Sequence, residues 1–454
     1  MRKFKKWLSV FLAAFLIIPL VSCNTDDGAD DGDADVDDDT LVIWTLAIDL
    51  EDFAEKYEEE TGADTEVVVI EPANYATKVQ SALGAKETKP DIIVAEPQML
   101  GNFYEAGYFA SLDEFGAQEH EGEIVDYVWE AGQDEDGVQR AISYQITPAG
   151  IYYRRDIAKD VFGTDDPEEI SELFEDYETI LETGEKLKED GYRIFASDAE
   201  TNYFSGDEAW VVDGKLNLAQ SRLDYMDMVI ELYQQDLTAY ANPWSTPWYQ
   251  AMAGEVPILS AEESDINIWD EEEFNEGTEG RELTEVFAYG LPSWGVLTLR
   301  DNCGDTFGKW GLAQGPTSGF GGGTFLGIST YSENKEAAWD FIEFVTLNND
   351  IANWWIDYSE GDTVSLISAL EENEDRGVEL FDGQEIYHFW YKEAENIDFD
   401  KVTKYDTVIG DAWGAAISAI KTGQEDKEAA IQEFYDVVES TYPDMEIDRE
   451  AHLK

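Results

Sequence analysis

Flat rings and carboxylates are the chemically loaded residue types of this chain: 14 Trp, 23 Tyr and 22 Phe stand among 101 Asp and Glu. A ring face holds a CH-rich surface through area burial, and a carboxylate at its edge accepts from hydroxyls. Together they suit a solute with apolar faces and a polar rim. Large aromatics mostly serve cores, so position must separate the two uses. Trp244-Ser245-Thr246-Pro247-Trp248-Tyr249 sets two Trp about a Pro turn, which fits an exposed platform or a loop packed on its own domain. Trp354-Trp355, Trp390 and Trp413 sit in apolar patterns that read equally well as core. Other chemistries lack their parts. His120, His388 and His452 are too scattered for metal ligation. Gly321–Gly323 is not followed by the Lys-Ser/Thr of a phosphate loop. Asp31-x-Asp33-x-Asp35 lacks the Glu at the twelfth position of a calcium loop. Among so many acids a pair spaced for glycoside hydrolysis arises by chance, so carboxylates alone do not identify a hydrolase. No catalytic residue, metal or cofactor is expected.

Charge and the chain's beginning bound the setting. Arg2, Lys3, Lys5 and Lys6 precede 16 uncharged residues, Trp7 to Ser22, which is the layout of a secretory signal and short of the ~20 that span a bilayer. Leu20-Val21-Ser22-Cys23 resembles the cleavage site of bacterial lipoproteins, which implies a signal over 1–22 and a lipidated Cys23. Nine Asp in Asn24–Thr40 make residues 23–40 a self-repelling, extended acidic tether. Cys303 is then the one other Cys, so no internal disulfide can form. The net charge of −72 repels nucleic acid and anionic lipid, leaving the lipid anchor as the only membrane contact expected. Acids spread through every segment point to a halophilic or alkaline habitat more than to a cation store.

Such side chains need a scaffold, and the hydropathy pattern supplies one. Leu41–Thr45, Thr65–Ile70 and Asp91–Ala95 read as strands, alternating with helices over Asp49–Thr61, Pro72–Leu83 and Met99–Ala106. This alternation predicts parallel pairing with right-handed crossovers. Ligands in such sheets sit beyond the carboxyl ends of the strands, which puts Trp44, Thr45 and Glu96 at a crevice. Further on, Gly150–Arg154 predicts a strand. Helices are expected over Ile170–Lys188 (inner face Leu173, Tyr177, Leu181, Leu187), 221–235, 337–347 and 411–421.

In order along the chain, several segments resemble extracellular solute-binding proteins of family 1, the sugar receptors of ABC importers. They are Lys89-Pro90-Asp91-Ile92-Ile93, Gly150-Ile151-Tyr152-Tyr153-Arg154-Arg155-Asp156, Ala251-Met252-Ala253-Gly254-Glu255-Val256, the Gly319–Ile328 glycine loop and strand, and Asn334-Lys335-Glu336-Ala337-Ala338-Trp339-Asp340-Phe341-Ile342. The resemblance implies an α/β, two-lobed, periplasmic-binding-protein-like (type II) fold with a hinge between the lobes. The lobes would be 41–148 with 316–346, and 149–315 with 347–454. Gly280–Gly308, holding Trp294 and Cys303, is longer than the resemblance leads one to expect.

The resemblance also implies a function. A monomeric receptor would hold a carbohydrate, an oligosaccharide by preference, at the outer face of the cytoplasmic membrane and pass it to ABC transporter permease subunits. Its ligand-binding residues would be Trp44, Thr45, Glu96, Tyr144, Tyr152, Trp244, Trp248, Glu263, Gly322 and Trp413. Glu262 and Glu263 fall where many relatives place a Trp, which implies a more polar contact there. The alternatives are a lipid-anchored glycoside hydrolase and a ligand sensor partnered with a membrane kinase.

The acid excess makes a direct prediction. The melting temperature should climb as NaCl is raised from about 0.1 M to about 1 M, where the Debye length shortens from ~10 Å to ~3 Å. Full stability in low salt would count against a saline habitat.

Overall fold

The computed structural model describes residues 40–206, 208–260 and 266–453. The expected signal, Cys23, the tether up to residue 39, and Glu262 and Glu263 lie outside the described residues. No helix among the described residues is long and apolar enough to cross a membrane.

The first lobe is built as its pattern predicts. Strands β1 (Leu41–Thr45), β2 (Thr65–Val69) and β3 (Ile92–Ala95) alternate with helices α1 (Leu50–Thr61), α2 (Pro72–Gly84) and α3 (Pro97–Glu105). β1 pairs in parallel with both β2 and β3. α1 stops at Gly62, whose φ of 75° is open to glycine and whose amide reaches the Glu58 carbonyl. The later strand Phe325–Ile328 adds antiparallel to β3 and carries β4 (Ile142–Ser143), giving the order β2, β1, β3, Phe325–Ile328, β4.

From β4 the chain crosses to the second lobe. There β5 (Ala149–Arg154) lies between Trp310–Ala313 and the ten-residue strand Leu283–Pro292, which also pairs in parallel with β6 (Arg193–Phe195). Side chains of β5 alternate as a two-sided strand must. Tyr152 joins the core that runs from the first sheet through the junction, while Ile151 and Tyr153 join a second core under the outer helices.

Two expectations are revised. The helix predicted over Ile170–Lys188 is broken: Pro167–Ser171 and a short turn at Glu172–Phe174 precede Tyr177–Glu189. Asp176 restarts the helix by accepting from the Thr179 amide at 2.8 Å, and the buried face becomes Ile180, Thr183, Gly184 and Leu187. The contacts also carry the first lobe past residue 346. Phe53 of α1 stacks on Trp355 at 4.6 Å, and Val125 and Ile367 exchange backbone bonds across to Ser365 and Glu123. Helices Asn349–Ser359 and Ile367–Glu372 therefore pack with the first sheet, whereas Asp406–Lys421 and Lys427–Thr441 cover the second.

Asp91 clamps the first sheet. Fully buried, it accepts from the Val42 amide at 2.9 Å, the Lys89 ammonium at 2.6 Å and the Ser332 hydroxyl at 2.7 Å. Asp91→Ala leaves three donors without their acceptor and should cost about 3 kcal/mol of folding stability. Urea unfolding checks it; a loss below about 1 kcal/mol would mean that the surroundings re-pair these donors.

Candidate functional site

Two ends of strands in the second sheet point the same way, because Leu283–Pro292 and β6 run parallel. Beyond the first end come Ser293 and Trp294, which open the helix Gly295–Asn302. Beyond the second comes the turn Asp198–Phe204, carrying Glu200 and Tyr203. The strand-end rule thus brings Trp294, Glu200 and Tyr203 to one place.

Trp294 is fixed by its indole N–H, which donates to the Gly321 carbonyl at 2.9 Å. Trp244 stacks on it with ring centroids 6.0 Å apart and 21° between planes. Trp244 keeps 48% of its surface exposed and sits at φ 68°, a conformation that costs a residue with a side chain of order 1 kcal/mol. Trp248 stands behind it at 4.9 Å, buried, its indole N–H donating to Glu200 Oε1 at 2.6 Å. The exposed face of Trp244 is thus backed by two indoles.

The glycine loop closes the other side. A Cβ at Gly321 would come within 2.1 Å of the Tyr203 ring, one at Gly319 within 1.9 Å of the Tyr203 carbonyl, and one at Gly322 within 3.1 Å of Trp294 Nε1. The loop runs along the inter-lobe crossing, with the Gly321 amide on the Thr147 carbonyl at 3.1 Å and the Thr147 hydroxyl on the Gly322 carbonyl at 3.1 Å. Gly323 lies against Pro97, which brings the end of β3, and with it Glu96, to the same loop.

The site's acids are held in poor solvation. Burial raises the Glu96 carboxyl, and its side chain accepts from Gln98. Burial pushes Glu200 up to about 8 against the opposing help of the Trp248 N–H. Burial, then Glu200 and Glu96, lift the Tyr203 hydroxyl to about 12. Burial thus favours the protonated form of Glu200, so this cluster of an acidic protein is less negative than its sequence suggests.

Of the residues expected from sequence, Trp244, Trp248, Gly322 and Glu96 gather here with Trp294, Tyr203 and Glu200. The others make different contacts. The Trp44 ring is half-buried under the Lys78 ammonium, 4.6 Å from its centroid, on the α2 side of the first sheet. Thr45 turns inward, its hydroxyl bonded to the Ala47 amide and carbonyl at 2.9 and 3.0 Å. Tyr144 donates to Asp49 at 2.8 Å within the junction. Tyr152 is core, its hydroxyl on the Pro292 carbonyl at 2.8 Å and the Ser293 carbonyl at 3.1 Å, so it steadies the residue before Trp294. Trp413 packs in the second core on Trp210 and Phe434. Glu263 lies outside the described residues. Trp294, Glu200 and Tyr203 stand outside the sequence expectation, which takes strand ends from the first sheet alone. The long apolar strand ending in Pro292-Ser293-Trp294 carried that signal. A surface groove of about 450 Å³ between Asp406–Lys421 and Lys427–Thr441 is lined mainly by Ala, with two Glu and the single ring of Phe434, and carries no such convergence of rings and acids.

A profile of bacterial extracellular solute-binding proteins matches residues 52–372. Among solved structures, an extracellular solute-binding protein of family 1 superposes with a TM-score of 0.69 at 18% identity, covering 89% of this chain and 99% of its own. The GacH receptor of Streptomyces glaucescens, solved unliganded and with acarbose, gives 0.66 at 14% identity over 90% and 99%. The ABC transporter associated binding protein from B. animalis subsp. lactis, solved with beta-1,6-galactobiose, gives 0.65 at 18% identity over 90% and 99%. The fold is therefore the two-lobed α/β architecture of such binding proteins.

Glu200→Gln keeps an acceptor for the Trp248 N–H and removes the titration. An acid raised in the fold favours the protonated state, so its ionisation costs stability between its ordinary 4.5 and about 8. The variant should melt with the wild type at about pH 4 and above it at about pH 9. Equal melting curves at both pH values would show that Glu200 ionises freely.

Proposed function

The chain belongs to the bacterial extracellular solute-binding proteins, and from that premise we propose that it is the lipid-anchored receptor of an ABC importer, capturing a carbohydrate of more than one ring. The observation that carries this reading is the exposed face of Trp244 offset-stacked on Trp294, with Glu96, Tyr203 and the glycine loop beside it. A stepped pair of indoles offers apolar area to successive sugar faces, and the acids and hydroxyls at its edge suit their hydroxyl rims. The beta-1,6-galactobiose complex of a protein with the same fold supports the ligand class.

Charge supports an uncharged solute. The chain's −72 opposes an anion, and burial that favours the protonated Glu200 weakens its pull on a cation. Capture proceeds by closure of two lobes about the junction, which excludes water from the rings and strengthens each polar contact made at the edge. Members of this family are receptors, so the ligand leaves unchanged and passes to permease subunits. The anchor reading rests on Cys23 after Leu20-Val21-Ser22 and on the acidic spacer behind it. Stable attachment takes more than one acyl chain.

Covering ~100 Å² of ring surface contributes about 2.5 kcal/mol, more than ten-fold in affinity. Trp244→Ala should therefore weaken calorimetric binding of an oligosaccharide found by thermal-shift screening at high salt by at least about ten-fold, while the variant stays folded. Unchanged affinity would remove Trp244 from the site, and hydrolysis of that sugar would overturn the receptor reading.

A further inference from the structure

The turn that carries Glu200 and Tyr203 has no slack on its inner side. A Cβ at Gly290, on the central strand Leu283–Pro292, would come within 1.9 Å of the Glu200 carbonyl, and one at Gly315 within 2.3 Å of the Phe204 ring. With Gly319 and Gly321 against Tyr203, the turn Asp198–Phe204 is pressed on both the strand that leads to Trp294 and the glycine loop. Where it stands is therefore settled by what grips it from the outer helices.

Three side chains do so. Tyr177, on Tyr177–Glu189, donates to the Phe204 carbonyl at 2.6 Å, and Tyr225, on Gln220–Gln234, donates to the Asn202 side chain at 2.9 Å. These are neutral bonds; the third grip is a charge. Lys421, the last residue of Asp406–Lys421, donates from its ammonium to the Asp198 carboxylate, and the two side chains keep only 20% and 12% of their surface exposed. The same ammonium stands 5.1 Å from the centre of the Tyr233 ring. The Asp198 carbonyl in turn accepts from the buried Thr201 hydroxyl at 2.9 Å, so the residue that Lys421 holds brackets Glu200 together with Thr201. Sheltered from water, this pair keeps more of its attraction than an exposed one and is screened less by salt. Removing either partner leaves the other charge uncompensated where solvent hardly reaches it.

We infer that Lys421 is a positioning residue of the candidate site: through its ion pair with Asp198 it sets where Glu200 and Tyr203 stand against Trp248, Trp294 and the glycine loop. It acts through Asp198 and not by contact with a solute. The consequence for affinity rests on the receptor reading above; the positioning itself does not.

The Trp248 indole N–H reports on the turn without any ligand, because it donates to Glu200 Oε1 at 2.6 Å. In the ligand-free protein Lys421→Met should move the nuclear magnetic resonance signal of that N–H. Asp198→Asn, which keeps an oxygen for the ammonium and so folds more readily, should move it too. Asp91→Ala, which weakens the first sheet instead, should leave it in place. The difference between wild type and Lys421→Met should survive at about 1 M NaCl, since salt screens a sheltered pair little. Affinity for acarbose or beta-1,6-galactobiose, used as probes, should fall about five-fold in Lys421→Met and no further when Asp198→Asn is added, because the two side chains act as one pair. A signal unmoved in both single variants, or losses of affinity that add, would overturn the positioning role. A moved signal with unchanged affinity would confine Lys421 to the fold and refute its part in the site. A moved signal in a protein that binds no saccharide would sink the receptor reading alone.

Discussion

The aromatic face proposed as the binding site depends on how a dry junction satisfies its backbone. Three passes of chain are pressed between two sheets, and an unmet carbonyl there would cost about as much as a lost hydrogen bond. Ile146 is met by two side-chain hydroxyls, from Ser293 and Thr363, because neither sheet's ladder extends to it. Side-chain donors can rotate where ladder donors cannot, so the junction is both satisfied and able to move. A hinge sealed by continuous strand pairing would hold the lobes in one relation.

The aromatic face grows from that same place. Trp294 follows Ser293, donates to the glycine loop, and is covered by Trp244, which is backed by Trp248 and so by Glu200. Each step ties an element of the second lobe to the next, and the Gly321 carbonyl ties them to the segment that returns to the first. Glycine is required on that segment where Tyr203 crosses it, since a Cβ at Gly319 or Gly321 would overlap Tyr203. The loop is therefore shaped by close approach.

The scarcity of cations sharpens the reading of those that are buried. With 29 Lys and Arg against 101 acids, a buried Arg is committed to structure. Arg154, on the Tyr152-Tyr153 strand, shows that commitment. It forks onto both oxygens of Asp156 at 2.7 and 2.8 Å and reaches Glu285 at 2.9 Å, fastening β5 to the central strand beside it. Glu200 and Asp362, buried against neutral donors, are raised instead.

Local order was legible in the residues alone. The alternation of Val-rich strands with helices closed by Gly62 and Gly107, and the parallel pairing that follows from it, are properties of short segments. So is the family pattern, which is a series of short segments in fixed order. What the sequence could not disclose was which distant segments meet. Trp413 looks like a ligand platform until the outer helices cover it, whereas Trp294 lay in a stretch with no evident use until β6 came to run parallel to its strand. Period and propensity act over a few residues, while the site and the lobe boundary are set by side chains 50 to 300 positions apart, brought together only by the burial of two sheets against one junction.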